Sequence, residues 1–267
     1  MPELPEVESI RRSLSPNIIG QKLQGYKIND HRTNRFNTKN PKINESLLGI
    51  SRKGKLLIFD FKEYSIIFHL GMSGRIQVND KKNKHTRASF YFDKDQVNFD
   101  DIRRFGFINI INSELKNNYL KKIGPDVLNI TKEQSRMVIN KSKKSKSLIK
   151  DYILNQKYMS GIGNIYANEI LFASRIHPKT KVNTLNNNNW KDFFNNTKRI
   201  MRLAVKNNGT TLSDMTYFLP YGEFGSNQNF LKIYSKINCF NCEHIIDKIY
   251  INQRATYFCR KCQKLKN

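Results

Sequence analysis

Two groups of residues in this sequence have types and spacings that could do chemistry. The first is a quartet of cysteines, Cys239, Cys242, Cys259 and Cys262, with two residues inside each pair and sixteen between the pairs. Two such knuckles joined by a hairpin offer four thiolates to one tetrahedral ion, the closed ligand set of a structural zinc site. A disulfide pair or a redox motif is the alternative, and a reducing compartment favours the metal. A closed site leaves no coordination position for catalysis, so one structural Zn2+ would serve to hold "IYINQRATYF" as a rigid hairpin with Arg254 near its tip.

The second group is the opening "MPELPE". A small residue after Met1 permits removal of that methionine, which would turn Pro2 into a secondary amine at the terminus. With a reference pKa of roughly 8, an α-amino group holds far more neutral base near pH 7 than a lysine does. Attack on a sugar C1′ would give an iminium, which acidifies C2′ enough for strand cleavage by elimination. Glu3 stands beside it as a general acid for the sugar oxygen. The plain alternative is a helix N-terminus, where proline is tolerated and acids favour the dipole.

Elements must exist to position these groups, and 267 residues suffice for two or three compact units. From Met1 to about Asp126 the texture is β-rich after a short opening helix. Runs at 55–61, 65–70, 89–93 and 107–111 are rich in β-branched and aromatic residues and bounded by Gly, Asn, Asp and Lys, which predicts a sandwich. Past "IGPDVLNI" the segments "TKEQSRMVIN", "SLIKDYILNQ", "NIYANEILFAS" and "NWKDFFNNTKRIMRLAVKNN" have apolar residues at helical spacing. "KSKKSKS" at 141–147 reads as a solvated basic connector, and 209–230 as a long loop, either a mobile lid or disordered. The expected class is α+β, with units at 1–127, 128–220 and 221–267.

Lys and Arg total 47 against 22 Asp and Glu, a formal net charge of +25. That imbalance argues for a polyanionic partner, since basic surfaces release counterions condensed on nucleic acid. An AT-rich coding sequence, also rich in Asn and Ile, produces the same excess. No stretch approaches the roughly 18 apolar residues of a membrane helix, and the N-terminus has neither the basic start nor the apolar core of a secretion signal. A soluble intracellular protein is therefore expected, cytoplasmic and nucleoid-associated or organellar.

Five separated motifs run the length of the chain: "MPELPEVE", "HLGMSGR" at 69–75, "DDIRRFG" at 100–106, "GIGNIYANE" at 161–169 and the ending with "QRATYFCRKCQ". Together they resemble the formamidopyrimidine-DNA glycosylase family. The resemblance implies a β-sandwich with an N-terminal helix, a helix-two-turns-helix domain and a zinc hairpin, with DNA in the cleft between them. It implies Pro2 as nucleophile, Glu3 as acid and Glu6 as a carboxylate of the same pocket. Lys55 and Arg254, counted with the catalytic residues, would hold phosphate near the damaged nucleotide. Asn164 would do so at a helix start, where free N–H groups already favour an anion, and His69 falls among the DNA contacts. Met72, Arg103 and Phe105 would fill the hole left by a flipped base, with Phe105 wedged between base pairs and Arg103 on the orphaned cytosine. Lys150 lines up with a lysine linked to recognition of oxidised guanine, although neighbouring Asp151 could pair with it.

The implied activity is a bifunctional glycosylase and AP lyase of base excision repair. It would act on duplex DNA with oxidised purines or abasic sites as a monomer without a small-molecule cofactor. Two readings compete: the sister branch for oxidised pyrimidines, against which Leu4 argues because that branch usually reads "MPEGPE", and a non-catalytic zinc protein that binds nucleic acid. Ile102 stands where the family commonly has Pro, Asn252 where it has Gly, and "LPYGEFGSNQNF" fits the base-capping loop poorly.

Overall fold

The computed structural model describes residues 2–35, 41–213 and 217–265. By its contacts the chain falls into two compact units, Met1–Lys122 with Ala204–Gln228, and Ile123–Leu203 with Asn229–Asn267. These divisions differ from boundaries at 127/128 and 220/221. Residues 204–228 group with the first unit because Tyr217 and Leu219 are buried in its core. The zinc-type knuckles group with the helices of the second because Glu169 and Gln263 bond across to them. Among the described residues no helix is long and apolar enough to cross a membrane.

The first unit opens with α1 (Leu4–Ile18), whose buried face includes Leu4, Val7, Ile10, Leu14 and Ile18. Eight strands follow: β1 (Leu23–Ile28), β2 (Gly49–Lys53), β3 (Leu56–Asp60), β4 (Tyr64–His69), β5 (Gly74–Val78), β6 (Thr86–Phe92), β7 (Gln96–Asp101) and β8 (Phe107–Asn112). They form two four-stranded antiparallel sheets, ordered β1-β6-β7-β5 and β2-β3-β4-β8. Phenylalanines of both sheets meet in the core. Phe68 lies 5.0 Å from Phe59 on its own sheet and 5.3 Å from Phe90 on the other, both tilted or edge-on as the ring quadrupoles favour. The expected sandwich is therefore present. The helix α2 (Ser113–Lys121) closes the run, started by Asn112, whose side chain accepts from the Glu114 N–H.

The second unit holds α3 (Lys132–Lys143), α4 (Ile149–Leu154), α5 (Asn164–Ala173), most of α6 (Asn187–Lys206), and a hairpin of β9 (Asp247–Ile251) and β10 (Arg254–Phe258). Thr131 and Gln134 form a reciprocal cap at the start of α3. The basic connector at 141–147 is only partly a loop, since its first three residues finish α3 and Ser142 is buried. α5 is buried from Ile165 to Phe172 and so forms the centre of this unit. Asn252 and Gln253 turn the hairpin with φ of +45° and +62°, the pair of left-handed residues that a two-residue type I′ turn needs. Asn tolerates that backbone in place of Gly, because its short polar side chain bonds locally.

Candidate active site and nucleic-acid interface

Pro2 is buried immediately ahead of α1, and Met1, whose removal is expected from the sequence, lies outside the described residues. Glu3 is the N-cap of α1 in extended conformation and is 1% exposed, as is Glu6 one turn on. The Glu6 carboxylate binds two separate pieces of backbone: Oε2 accepts from the Glu3 N–H at 2.8 Å and Oε1 from the Thr210 N–H at 2.7 Å. One of those N–H groups is a donor that every helix N-terminus leaves open. Gly209 makes the approach feasible, since its φ is +78° and a Cβ there would sit 2.9 Å from Glu6 Oε1. Tyr217 Oη adds a bond to the Asn208 carbonyl at 2.8 Å. The Glu6 carboxylate thus fixes the main chain beside Pro2 to the 208–211 segment.

That segment is also the base of the long loop. Thr211 Oγ1 accepts from the Gly225 N–H and donates to the Tyr217 carbonyl, Asn227 Nδ2 reaches Thr210 Oγ1, and the Val78 N–H donates to the Pro220 carbonyl. Residues 217–228 are therefore tied to the sandwich. Residues 214–216 lie outside the described residues.

Lys55 follows Gly54 in the turn between β2 and β3, where Gly54 has φ of +58°. Arg52 donates to the Gly54 carbonyl at 2.7 Å and pairs with Glu8 of α1 at 3.1 Å. Burial alone would raise the Glu8 pKa. Hydrogen bonds from Arg11 and Arg12, with the charges of Arg11 and Arg52, outweigh it and bring the carboxyl down to about 2. His69, paired with Leu56 at the end of β4, is stacked on Phe107 at 5.1 Å, and Arg35 lies 4.0 Å over the Phe107 ring. Burial, with the cations Lys55 and Arg35, lowers His69 to about 4 against the pull of Asp101. At neutral pH it is an uncharged imidazole whose Nδ1 accepts the Gly71 N–H at 3.1 Å.

Met72 and Phe105 project from adjoining turns and are 39% and 52% exposed. A Cβ on Gly71 would come within 2.5 Å of the Phe105 carbonyl carbon, so the two turns are in backbone contact. Arg103 lies with its guanidinium 4.9 Å from the Phe105 ring. Asp101, fully buried, organises the loop: Oδ1 accepts from Ser73 Oγ at 2.6 Å and the Arg103 N–H at 3.2 Å, and Oδ2 from the Gly106 N–H at 2.7 Å. These bonds define the loop without the proline that Ile102 replaces, and Ile102 is itself 45% exposed.

In the second unit Arg254 begins β10 and is exposed. Asn164 is the first residue of α5, and its Nδ2 donates to the Ala255 carbonyl at 3.0 Å. Lys150 is fully buried. Its ammonium donates to Thr256 Oγ1 at 2.6 Å, the Ala255 carbonyl at 3.1 Å and Asn168 Oδ1 at 3.4 Å.

The four cysteine sulfurs lie within 4.8 Å of one another, with separations of 3.8 Å for Cys239 and Cys262, 3.5 Å for Cys242 and Cys259, and 3.6 Å for Cys242 and Cys262. A disulfide needs about 2.0 Å. Four thiolates around zinc at about 2.3 Å put tetrahedral edges near 3.8 Å, so the donor set fits that ion. Glu169, accepting N–H groups of Lys232, Ile233 and Tyr234, and Gln263, joining Cys259 to the Ile176 carbonyl, tie the knuckles to the helices.

Two family profiles cover most of this chain: the formamidopyrimidine-DNA glycosylase N-terminal domain matches residues 1–108 and the formamidopyrimidine-DNA glycosylase H2TH domain residues 123–216. The chain belongs to the formamidopyrimidine-DNA glycosylase family. It is 34% identical to the formamidopyrimidine-DNA glycosylase of Listeria monocytogenes serotype 4b, over 99% of this chain and 100% of that one. It is 35% identical to the Mycoplasma pneumoniae protein of the same name, over 98% and 99%. Among solved structures, the Lactococcus lactis Fpg in complex with abasic-site DNA superposes with a TM-score of 0.89 at 32% identity, over 98% of this chain and 100% of that one. A mutant of that Lactococcus protein, in complex with DNA containing Fapy-dG, gives the same TM-score, identity and coverage.

In this formamidopyrimidine-DNA glycosylase family member the first unit brings together Pro2, Glu3 and Glu6 at the start of α1, His69 beside Lys55, and Met72, Arg103 and Phe105 on adjoining turns. The second gathers Lys150, Asn164 and Arg254 around β10, and separately the four cysteines. Two residues expected to touch DNA are engaged within the protein: Glu6 with backbone N–H groups and Lys150 with the hairpin. Sequence reasoning missed Asp101, Thr210 and Thr256. Only Asp101 left a trace, as the second acid of "DDIRRFG".

Proposed function

We propose that this chain removes oxidised purines from duplex DNA and then cuts the strand, with the Pro2 nitrogen as nucleophile. The observation behind this reading is a buried Pro2–Glu3 pair whose main chain Glu6 fixes at the head of α1, in a member of a DNA glycosylase family. The freed amine attacks C1′ of the damaged nucleotide while Glu3 gives a proton to the sugar oxygen, and the base departs with its bonding electrons. An iminium then joins protein and sugar. Loss of a C2′ proton expels the 3′ phosphate, and a second elimination expels the 5′ phosphate, leaving a one-nucleotide gap with phosphate at both ends.

Lys55, Asn164 and Arg254 hold backbone phosphates, the last two as part of a helix start and a hairpin end. Met72, Arg103 and Phe105 occupy the space a flipped base leaves, which offsets unstacking of a few kcal/mol. The four cysteines hold one zinc ion, which supplies no chemistry and fixes the hairpin. The substrates are 8-oxoguanine and ring-opened formamidopyrimidines, preferably opposite cytosine. Incision of duplexes carrying 8-oxoguanine or thymine glycol tests this: faster cutting at 8-oxoguanine is expected, and faster cutting at thymine glycol assigns the chain to oxidised pyrimidines. Pro2→Gly and Glu3→Gln are expected to bind damaged duplex but not excise the base, and normal cutting by either removes its assigned role.

A further inference from the structure

We infer that Lys150 positions Arg254 and never touches the lesion: its buried ammonium clamps the backbone that follows Arg254 in β10. The inference rests on the proposed role of Arg254 as a phosphate contact. A side chain with no exposed surface reaches a ligand only if its surroundings open, and here the surroundings are the hairpin itself. The ammonium donates to Thr256 Oγ1, the Ala255 carbonyl and Asn168 Oδ1, two of them on the residues directly after Arg254. Thr256 Oγ1, which receives the shortest of these bonds, donates at 2.9 Å to the carbonyl of Arg254. A hydrogen-bonded chain therefore runs from α4 to the main chain of Arg254.

The helix α5 grips the same strand. Asn164 also donates to the Ala255 carbonyl, Asn168 Oδ1 accepts the Tyr257 N–H at 2.8 Å, and Asn168 Nδ2 donates to the Asn164 carbonyl at 2.6 Å. Lys150 of α4 and Asn164 and Asn168 of the N-terminal half of α5 thus hold β10. On the other side of Arg254 lies the Asn252–Gln253 turn, with both residues left-handed. Gln seldom adopts that backbone, so the turn depends on its flanking strands. Lys150 supplies part of that support, and a charged group buried among fixed acceptors gives the direction of Arg254 less freedom than an apolar contact would.

The test uses the zinc-loaded full chain, with kcat and KM measured on duplexes carrying 8-oxoguanine, a formamidopyrimidine or a preformed abasic site. Lys150→Met is expected to lower kcat/KM by between about 10- and 100-fold, the scale of a small misplacement, and equally on all three substrates. In an Arg254→Ala background the same change is expected to add nothing, because there is no guanidinium left to position. Loss on the two base lesions with the abasic substrate spared means that Lys150 reads the base and overturns the inference. So does a multiplicative loss in the double variant, which marks general destabilisation. Thr256→Val, nearly isosteric, removes only the relay hydroxyl. It is expected to give a smaller loss of the same pattern, which keeps the test decisive if Lys150→Met does not fold. If Arg254→Ala alone leaves binding, its salt dependence and incision unchanged, the proposed role of Arg254 fails first, distinguishably from Lys150.

Discussion

Asp101→Asn isolates the loop that carries Arg103 and Phe105. The carboxylate is fully buried and accepts three hydrogens, from Ser73, Arg103 and Gly106. An asparagine keeps one acceptor oxygen and turns an NH2 toward the other side, so either the Gly106 N–H or the Ser73–Arg103 pair faces a donor. An orphaned buried N–H costs about 1–3 kcal/mol, and weakening the remaining bonds from charge-assisted to neutral costs about 1 kcal/mol more. The sum, about 3 kcal/mol, corresponds to roughly 100-fold in the population of the ordered loop. Single-turnover excision of 8-oxoguanine should fall by about that factor. Incision of a preformed abasic site, which has no base to extrude, should fall by less than about 3-fold. Equal losses on both substrates would mean that Asp101 supports the sandwich rather than the loop, and no loss on either would refute the reasoning outright.

Glu8 makes stability depend on pH in a defined window. Its folded pKa of about 2 lies below the ordinary 4.5, so its stabilisation is complete above pH 4.5 and is lost as pH falls toward 2. In urea titrations the unfolding free energy of Glu8→Gln should change less across that range than that of the unmodified protein. Lys55→Ala, Asn164→Ala and Arg254→Ala should each weaken binding of damaged duplex and reduce the slope of log K against log salt by about 0.9, as read by fluorescence anisotropy, and an unchanged slope would mean no phosphate contact. Cys259→Ser should release zinc, with loss of amide protection at 247–258 while the β1–β8 sheets stay protected, and full metal content in that variant would refute the four-thiolate site.

Strands β3, β4, β6 and β8 were legible because each carries a cluster of β-branched and aromatic residues bounded by turn residues. β7 was not, because Asn98, Asp100 and Asp101 interrupt the pattern and yet are buried, where Asn98 donates to the Asp80 carbonyl and Asp100 Oδ2 accepts from Asn83. α2 buries no residue and so has no apolar face to detect. In the site, the cysteine pairs speak for themselves, whereas Pro2 and Glu3 gain meaning only through the other motifs. Lys150 shows the limit most clearly. Its partners Ala255 and Thr256 lie more than a hundred residues away in sequence, and no local pattern foretells them. The long loop itself is legible, but not its anchoring: Tyr217 and Leu219 enter the sandwich core without any periodic signal around them.

Both base removal and strand cutting, as proposed, pass through a covalent bond between the Pro2 nitrogen and C1′ of the deoxyribose. Borohydride reduction during turnover on 8-oxoguanine duplex, followed by proteolysis and mass spectrometry of the DNA-linked peptide, measures it. The expected adduct is on a peptide beginning with Pro2, and it should be absent from Pro2→Gly and from protein that retains Met1. An adduct on a lysine, or full incision by protein that still begins with methionine, would contradict the account.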